Sequence, residues 1–290
     1  MQVNTVAVIG AGIMGRGIAH VAALGGYRTI LEDILPASLR KAESEIKANL
    51  DKAVELGKID NAKAADALRR IEFASSVDQA VREADLVIEA VPEEMESKLE
   101  IFSMLDRMCP PHTVLATNTS SLSISDIASV TLRPQKCVGM HFFNPVHKMK
   151  LIEVVRSAQT DDDTLAAALE VGRRMGKETV TIRESPGFIT SRINAMIGNE
   201  AFYMLGEGVA SAADIDKALK LGLNHPMGPF EMVDLVGLDT RLHILEYLHS
   251  TLGEKYRPAP LLVKYVADGR LGRKTGRGVF DYPDPTKAKK

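Results

Sequence analysis

The 290-residue sequence has two cysteines, Cys109 and Cys137. Two are too few for a disulfide framework, so they read as free thiols in a reducing, cytoplasmic compartment. Net charge is nearly absent: 36 basic against 38 acidic side chains leave −2, which gives no reason to expect a nucleic acid partner. No apolar run approaches the roughly 20 residues of a spanning helix, so no membrane partner is expected. Strand-like sequence begins by Val3, so no signal or transit peptide is expected before it. Neither H-E-x-x-H nor C-x-x-C occurs, and His141 and His147 are separated by a Pro-containing loop. No metal is expected. The missing G-x-S-x-G elbow argues against a hydrolase with Ser120 as nucleophile. What remains is an ordinary soluble composition, 45% apolar and 26% charged, in a chain long enough for two domains. The basic tail at 287–290 reads as a solvated end.

One stretch near the start organises the rest. The β-branched run Val6-Ala7-Val8-Ile9 leads into Gly10-Ala11-Gly12-Ile13-Met14-Gly15, a G-x-G-x-x-G turn, and an Ala-rich apolar run follows. Gly10 permits a sharp turn, Gly12 lets a pyrophosphate approach the backbone, and Gly15 lets the helix sit close to the strand. The first-turn N–H groups at Ile13 and Met14 would face the phosphates. The motif alone is a weak signal. Its context strengthens it: Glu32-Asp33 closes the next strand, with Asp33 18 residues past Gly15. A carboxylate at that spacing accepts hydrogen bonds from the adenine ribose. With no Arg after Asp33 and a second negative charge expected at Glu32, NAD is favoured over NADP.

After Pro36 a long helical pattern and a shorter one over 62–70 form a hairpin inserted before the sheet resumes. It is a candidate substrate arm, with Lys47, Lys52 and Lys58 as possible sources of positive charge; a solvated helix face is the competing reading. Strands then alternate with helices to Ile182, which predicts a Rossmann-like doubly wound α/β sheet over 1–184. Beyond a hinge near Glu184 to Gly187 strand-like runs vanish. Helical patterns at 188–205, 211–219, 229–252 and 260–268 predict an all-helical C-terminal domain over 185–290. Its apolar stripes, Ile189, Ile193, Met196, Ile197 and Phe230, Val233, Leu235, Val236, read as core or as a dimer interface.

Parallel sheets place ligands at strand ends, and three strand ends here are polar: Glu89 to Glu93, Thr117 to Ser121, and His141 to Pro145. Glu153 sits inside Leu151-Ile152-Glu153-Val154-Val155, where an unpaired carboxylate would be costly. If the two strands are neighbours, His141 is its partner. The carboxylate then fixes the imidazole tautomer, and the second ring nitrogen can act as a general acid or base. A purely structural buried pair is the alternative.

Together these clusters resemble the short-chain L-3-hydroxyacyl-CoA dehydrogenase family, and within it the bacterial 3-hydroxybutyryl-CoA dehydrogenases. The resemblance runs over nearly the whole chain. It is carried by the glycine turn, by Asn118-Thr119-Ser120-Ser121-Leu122, His141-Phe142-Phe143-Asn144-Pro145 and Ser185-Pro186-Gly187-Phe188, and further on by Pro226-Met227-Gly228-Pro229-Phe230-Glu231 and Arg273-Lys274-Thr275-Gly276-Arg277-Gly278. It implies His141 as the catalytic base, Glu153 as its partner, and Ser120 as the contact to the substrate oxygen and the nicotinamide region. It implies cofactor contacts at Asp33, Glu93, Lys98, Asn144 and Lys264. Reversible oxidation of a (3S)-hydroxyacyl-CoA by NAD is the implied activity, in a homodimer. The family usually reads P-G-F-x-x-N-R, with a substrate-binding asparagine, but here Ser191 stands at that position. A shorter hydroxyl requires closer approach, a bridging water, or substitution by Asn194 one turn on. On the arm Lys52 matches the family's pattern, whereas Leu56 stands where relatives often carry a basic residue. A dehydrogenase of a non-CoA hydroxy acid, such as a sugar acid or carnitine, and a non-catalytic dinucleotide-binding protein remain as alternatives.

Overall fold

Strands alternate with helices through the first part of the computed structural model, which describes residues 2–283; the tail at 287–290 lies outside them. Two compact units divide the chain, Met1–Ser185 and Pro186–Lys290. In the first unit the strands are β1 (Thr5–Ile9), β2 (Arg28–Glu32), β3 (Ile71–Ala74), β4 (Leu86–Glu89), β5 (Val114–Thr117), β6 (Cys137–Phe142), β7 (Leu151–Arg156) and β8 (Glu178–Arg183). They form one eight-stranded sheet in the order β3-β2-β1-β4-β5-β6-β7-β8. Neighbours from β3 to β6 are parallel, β7 reverses against β6, and β8 runs parallel to β7.

The central strands are apolar in both phases because helices cover both faces. Val6, Val8, Leu31, Leu86 and Ile88 pack on one side with α1 (Ile13–Leu24), α2 (Pro36–Glu55), α3 (Asn61–Arg69) and α7 (Asp162–Arg174). Ala7, Ile9, Ile30, Val87 and Leu115 pack on the other with α4 (Val77–Val81), α5 (Met95–Met108) and α6 (Ile124–Ala128). The hairpin α2–α3 buries a single stripe of α2, Ala42, Ile46 and Leu50, at the i, i+4, i+8 spacing of one helix face. Pro36 occupies its first turn, and Gly57, at φ 66°, allows the chain to leave it. Asp60 caps α3 by accepting from Lys63 N at 2.7 Å.

The second unit is helical: α8 (Thr190–Gly206), α9 (Ala212–Gly222), α10 (Pro229–Val236), α11 (Leu238–Leu252) and α12 (Pro260–Ala267). The continuous helix expected over 229–252 is two helices. Gly237 separates them at φ 107°, a backbone conformation that side chains rarely adopt and that ends α10. Phe202 packs edge-on against Phe230 at 5.2 Å and against Tyr265 at 5.9 Å. Two buried carboxylates organise the chain around this core. Asp216 accepts from Phe230 N and Glu231 N, and Asp234 accepts from Val279 N, Phe280 N and the Tyr282 hydroxyl. The apolar stripes read from the sequence split: Phe230 and Val233 are core, whereas Ile193, Leu235 and Val236 are exposed. No described helix is long and apolar enough to cross a membrane.

His20 on α1 is buried and stacks on His147, ring centroids 5.7 Å apart. Burial first, then the charges of His147 and Lys177, lower its pKa from 6.5 to about 4. The unfolded chain takes up this proton below about pH 6.5, while the folded chain resists it until about pH 4. The stability associated with neutral His20 is therefore complete above pH 6.5 and lost as pH falls towards 4, by ~3 kcal/mol in the limit. Urea unfolding midpoints measured across this interval should fall less steeply for His20→Asn than for the native chain. Equal slopes would remove His20 from the acid response.

Candidate active site

The site begins at the β1–α1 turn. Gly10 is at φ 98°, and a Cβ on it would lie 2.9 Å from Ala90 O. A Cβ on Gly15 would lie 1.7 Å from Gly10 O, so α1 can sit on β1 only with glycine there. A Cβ on Gly12 would meet nothing within 4 Å, which leaves the backbone open to a ligand. No side chain caps the N-terminus of α1, so its first N–H groups, at Ile13 and Met14, are not consumed by a capping side chain. Asp33, just past β2, accepts from Ala11 N and Leu35 N, both at 2.9 Å. Each carboxylate oxygen retains acceptor capacity for a ribose hydroxyl. An open glycine turn, an uncapped helix end and a fixed acceptor fit a dinucleotide. Glu32 does not share this role. Its side chain is 2% exposed and faces the sheet interior with Ile9 and Ile30, and burial, then Asp33, raises its pKa to about 7. The expected second negative charge against a 2′-phosphate is therefore weakened near neutral pH and turned into the sheet, which leaves Asp33 as the carboxylate at the glycine turn.

A cavity of about 400 Å³ lies at the ends of β4, β5 and β6, with Met14, Glu93, Lys98, Ser120, His141 and Asn144 in its wall. His141 and Glu153 are register partners on antiparallel β6 and β7, so both side chains leave the same face of the sheet. His141 Nδ1 and Glu153 Oε2 are 2.7 Å apart. An ionised carboxylate can only accept, so in this pair Nδ1 is the nitrogen that carries the proton. The Phe143 ring packs at 4.4 Å against the imidazole, and Asn118 Oδ1 accepts from Phe142 N at 3.0 Å, tying the end of β5 to the His141 strand.

Ser120 sits on the loop after β5. Its N–H and its hydroxyl both donate to Glu93 Oε1, at 2.7 and 3.1 Å, and Thr119 Oγ1 donates to the same oxygen at 2.6 Å. Partial burial raises the Glu93 pKa, but Lys98, Thr119 and Ser120 outweigh it and hold the carboxyl below its ordinary range. Lys98, 1% exposed, donates to Glu89 at 2.8 Å and lies 3.3 Å from Glu93. Downstream, the loop is anchored by Glu184, which accepts from Ser123 Oγ at 2.8 Å and Ser125 N at 3.0 Å. A second, smaller cavity of about 220 Å³ shares Asn144 with the first and is walled by Arg16 and His20 of α1 and Asn49 of α2. Among the described residues no group of three or more His, Cys, Asp or Glu side chains could hold a metal ion.

A family model described as 3-hydroxyacyl-CoA dehydrogenase, NAD binding domain, matches residues 5–185, and one described as 3-hydroxyacyl-CoA dehydrogenase, C-terminal domain, matches residues 187–282. The chain belongs to the 3-hydroxyacyl-CoA dehydrogenase family. Its first unit is the family's NAD-binding domain, and NAD is the cofactor it is built for. A probable 3-hydroxybutyryl-CoA dehydrogenase of Bacillus subtilis is 46% identical over 287 residues, covering 99% of this chain and all of the relative. The 3-hydroxybutyryl-CoA dehydrogenase of Bradyrhizobium diazoefficiens is 44% identical over 290 residues, covering 98% and 99%. The crystal structure of (S)-3-hydroxybutyryl-CoA dehydrogenase from Ralstonia eutropha superposes with a TM-score of 0.95 at 43% identity, covering 98% of this chain and all of that one.

The remaining positions suggested by the family resemblance lie apart from this cavity or on the second unit. Lys52 is ion-paired with Glu55 at 2.8 Å and Lys47 with Asp51 at 2.9 Å, so both carry their counter-ions on α2. Ser191 and Asn194, three residues apart in the first turns of α8, share a helix face. Lys264 on α12 is paired with Asp268 at 2.6 Å. Sequence reasoning placed Glu89, Thr117 and Thr119 in polar strand-end clusters and Glu184 at the hinge, but gave none of them an individual role. A signal for the first was present: Lys98 lies on the same helical stripe as buried Phe102 and Leu105, and a lysine on an apolar stripe needs a buried anion. Gly15→Ala should abolish NADH binding, measured by fluorescence titration, because α1 must lift from β1 to admit the methyl group. Native affinity in this variant would contradict the close contact.

Proposed function

We propose that the protein catalyses the reversible, NAD-dependent oxidation of (3S)-3-hydroxyacyl-CoA to 3-ketoacyl-CoA, with 3-hydroxybutyryl-CoA as the short-chain substrate. The observation that carries this reading is the 2.7 Å His141–Glu153 pair, with His141 in the wall of a cavity on the unit that binds the dinucleotide. NAD, when bound, accepts the hydride that C3 loses. His141 takes the hydroxyl proton at Nε2 as the C3–O bond becomes a carbonyl. Glu153, fully buried, stabilises the imidazolium that results. Ser120 contacts the C3 oxygen; on the second unit Ser191 or Asn194 stands in the place of the family's asparagine. In the reverse direction His141 returns the proton to the ketone oxygen. The smaller cavity beside Asn144 and Asn49 is the proposed path of the acyl-CoA towards the α2–α3 arm and Lys52. Asn144, Glu93, Lys98 and Lys264 are the further proposed cofactor contacts.

Steady-state kinetics should show NADH-dependent reduction of acetoacetyl-CoA, with much lower activity with NADPH and none on sugar acids or carnitine derivatives. His141→Gln should lower kcat/KM by about 10²–10⁴-fold or more, the contribution of a general acid–base group, while the Kd for NADH stays within about threefold. Loss of turnover and NADH binding together would leave His141 without a catalytic assignment.

The homodimer is likewise proposed, through the helical unit. Its support is that Ile193, Leu235 and Val236 stay exposed there, as does Ile189, while Phe230 and Val233 are core. Sedimentation analysis should give twice the 31.5 kDa chain mass, and replacing Ile193 and Leu235 by charged residues should return it to the single-chain value. A native chain that sediments as a monomer overturns this part.

A further inference from the structure

Burying a lysine between two carboxylates leaves one negative charge over. Glu89 Oε1 accepts from Lys98 Nζ and from Val91 N, both at 2.8 Å, and its Oε2 accepts from Thr117 Oγ1 at 2.6 Å. Glu93 accepts from Thr119 Oγ1, Ser120 N and Ser120 Oγ, with Lys98 Nζ 3.3 Å from its other oxygen. Every partner of both carboxyl groups is a donor, which is the environment of an ionised carboxylate. Two carboxylates and one ammonium sum to −1. Glu89 is 0% and Lys98 1% exposed, and Lys98 lies closer to Glu89 than to Glu93, so the uncompensated charge resides at Glu93, where the cavity opens.

A buried pair serving stability alone would not need the second carboxylate. Glu93 instead turns its charge towards the cavity that holds His141 and fixes the Ser120 loop with the same oxygen. Glu89 touches nothing in the cavity; it acts by holding Lys98. We infer that Glu89, Lys98 and Glu93 form a charge-setting group of net −1 in the wall of the His141 cavity, with Glu89 as its positioning residue. This charge biases the cavity towards the cationic, oxidised form of the nicotinamide ring over the neutral, reduced form. The inference rests on the NAD-dependent reading of this cavity.

The test is a pair of dissociation constants, NAD⁺ by calorimetry and NADH by fluorescence, for each variant. Glu89→Gln keeps the side-chain shape and brings the group to zero charge. The ratio Kd(NAD⁺)/Kd(NADH) should rise about tenfold, the order of effect of one unit charge at short range in a partly screened site. The double variant Glu89→Gln/Lys98→Met removes the buried pair but restores −1 through Glu93, and its ratio should return to within about threefold of native. Should Glu89→Gln fail to fold, Glu93→Gln makes the same charge change with the buried pair intact, and the same rise is expected. An unmoved ratio, equal weakening of both ligands, or a double variant that stays shifted overturns the inference, because a structural role alone would produce those results. A native chain that bound neither ligand would instead refute the cavity's NAD-dependent reading.

Discussion

A carboxylate that stays ionised in the middle of a sheet must be met by a cation or by donors, because an isolated buried charge costs several kcal/mol or more; Glu32 on β2, whose Oε1 is buried without a partner, has its pKa raised to about 7 instead. The first unit meets this demand twice, at Glu153 with His141 across β6 and β7 and at Glu89 with Lys98 at the end of β4. Both carboxylates are 0% exposed. Each pair is bound by requirement rather than convenience, since removing either partner strands the other's charge or proton. That obligation gives the cavity fixed walls. An imidazole whose Nδ1 is committed to Glu153 cannot rotate without breaking a 2.7 Å contact, and an ammonium held by Glu89 cannot swing away from Glu93.

The reversal of β7 is what makes the first pair possible. In a wholly parallel sheet the next strand would follow a crossover, and neighbouring strands would point the same ends towards the cofactor. Here the chain turns back after the Asn144-Pro145 loop, so Glu153 lies opposite His141 in register, near the end of one strand and the start of the next. Lys177 secures that return by donating to the carbonyls of Val146 and Met149. The fold thus brings together two residues twelve apart in sequence on a flat, covered surface, without a loop having to place either.

The parts that were legible in the sequence share one property: a residue type had a single physical use at its position. The glycine turn, Asp33 at the end of β2, and a glutamate inside an apolar strand beside a histidine are of this kind. The alternation of strands and helices was legible because burial on both sheet faces demands unbroken apolar runs. The parts that were not legible depend on distances across the fold. Glu32 and Asp33 are adjacent and both acidic, yet Glu32 ends β2 on a buried face of the sheet while Asp33, just past the strand, is half-buried against the glycine turn, and only the end and phase of the strand distinguish them. Gly237 sits in a helical pattern that continues on both sides of it, so periodicity alone carries across a break the backbone makes. The link from Glu89 through Lys98 to Glu93 joins a strand, a loop and a helix, and no local pattern spans all three.

The same requirement accounts for the glycines in the family motifs of the second unit. In Pro226-Met227-Gly228-Pro229-Phe230-Glu231, a Cβ on Gly228 would lie 2.2 Å from the Asp216 carboxyl carbon, so glycine is what lets that buried carboxylate reach Phe230 N and Glu231 N. In Arg273-Lys274-Thr275-Gly276-Arg277-Gly278, a Cβ on Gly278 would lie 2.0 Å from Asp234 Oδ1, and a Cβ on Gly272 just before it 2.4 Å from Asp234 O. Asp234 collects Val279 N, Phe280 N and the Tyr282 hydroxyl only because the chain can pass this close. Each motif is therefore a buried carboxylate with glycines cleared around it, so the recurrence of such motifs along the chain marks where charge had to be satisfied, whereas in the first unit the partner of a buried carboxylate is a histidine in the wall of a cavity.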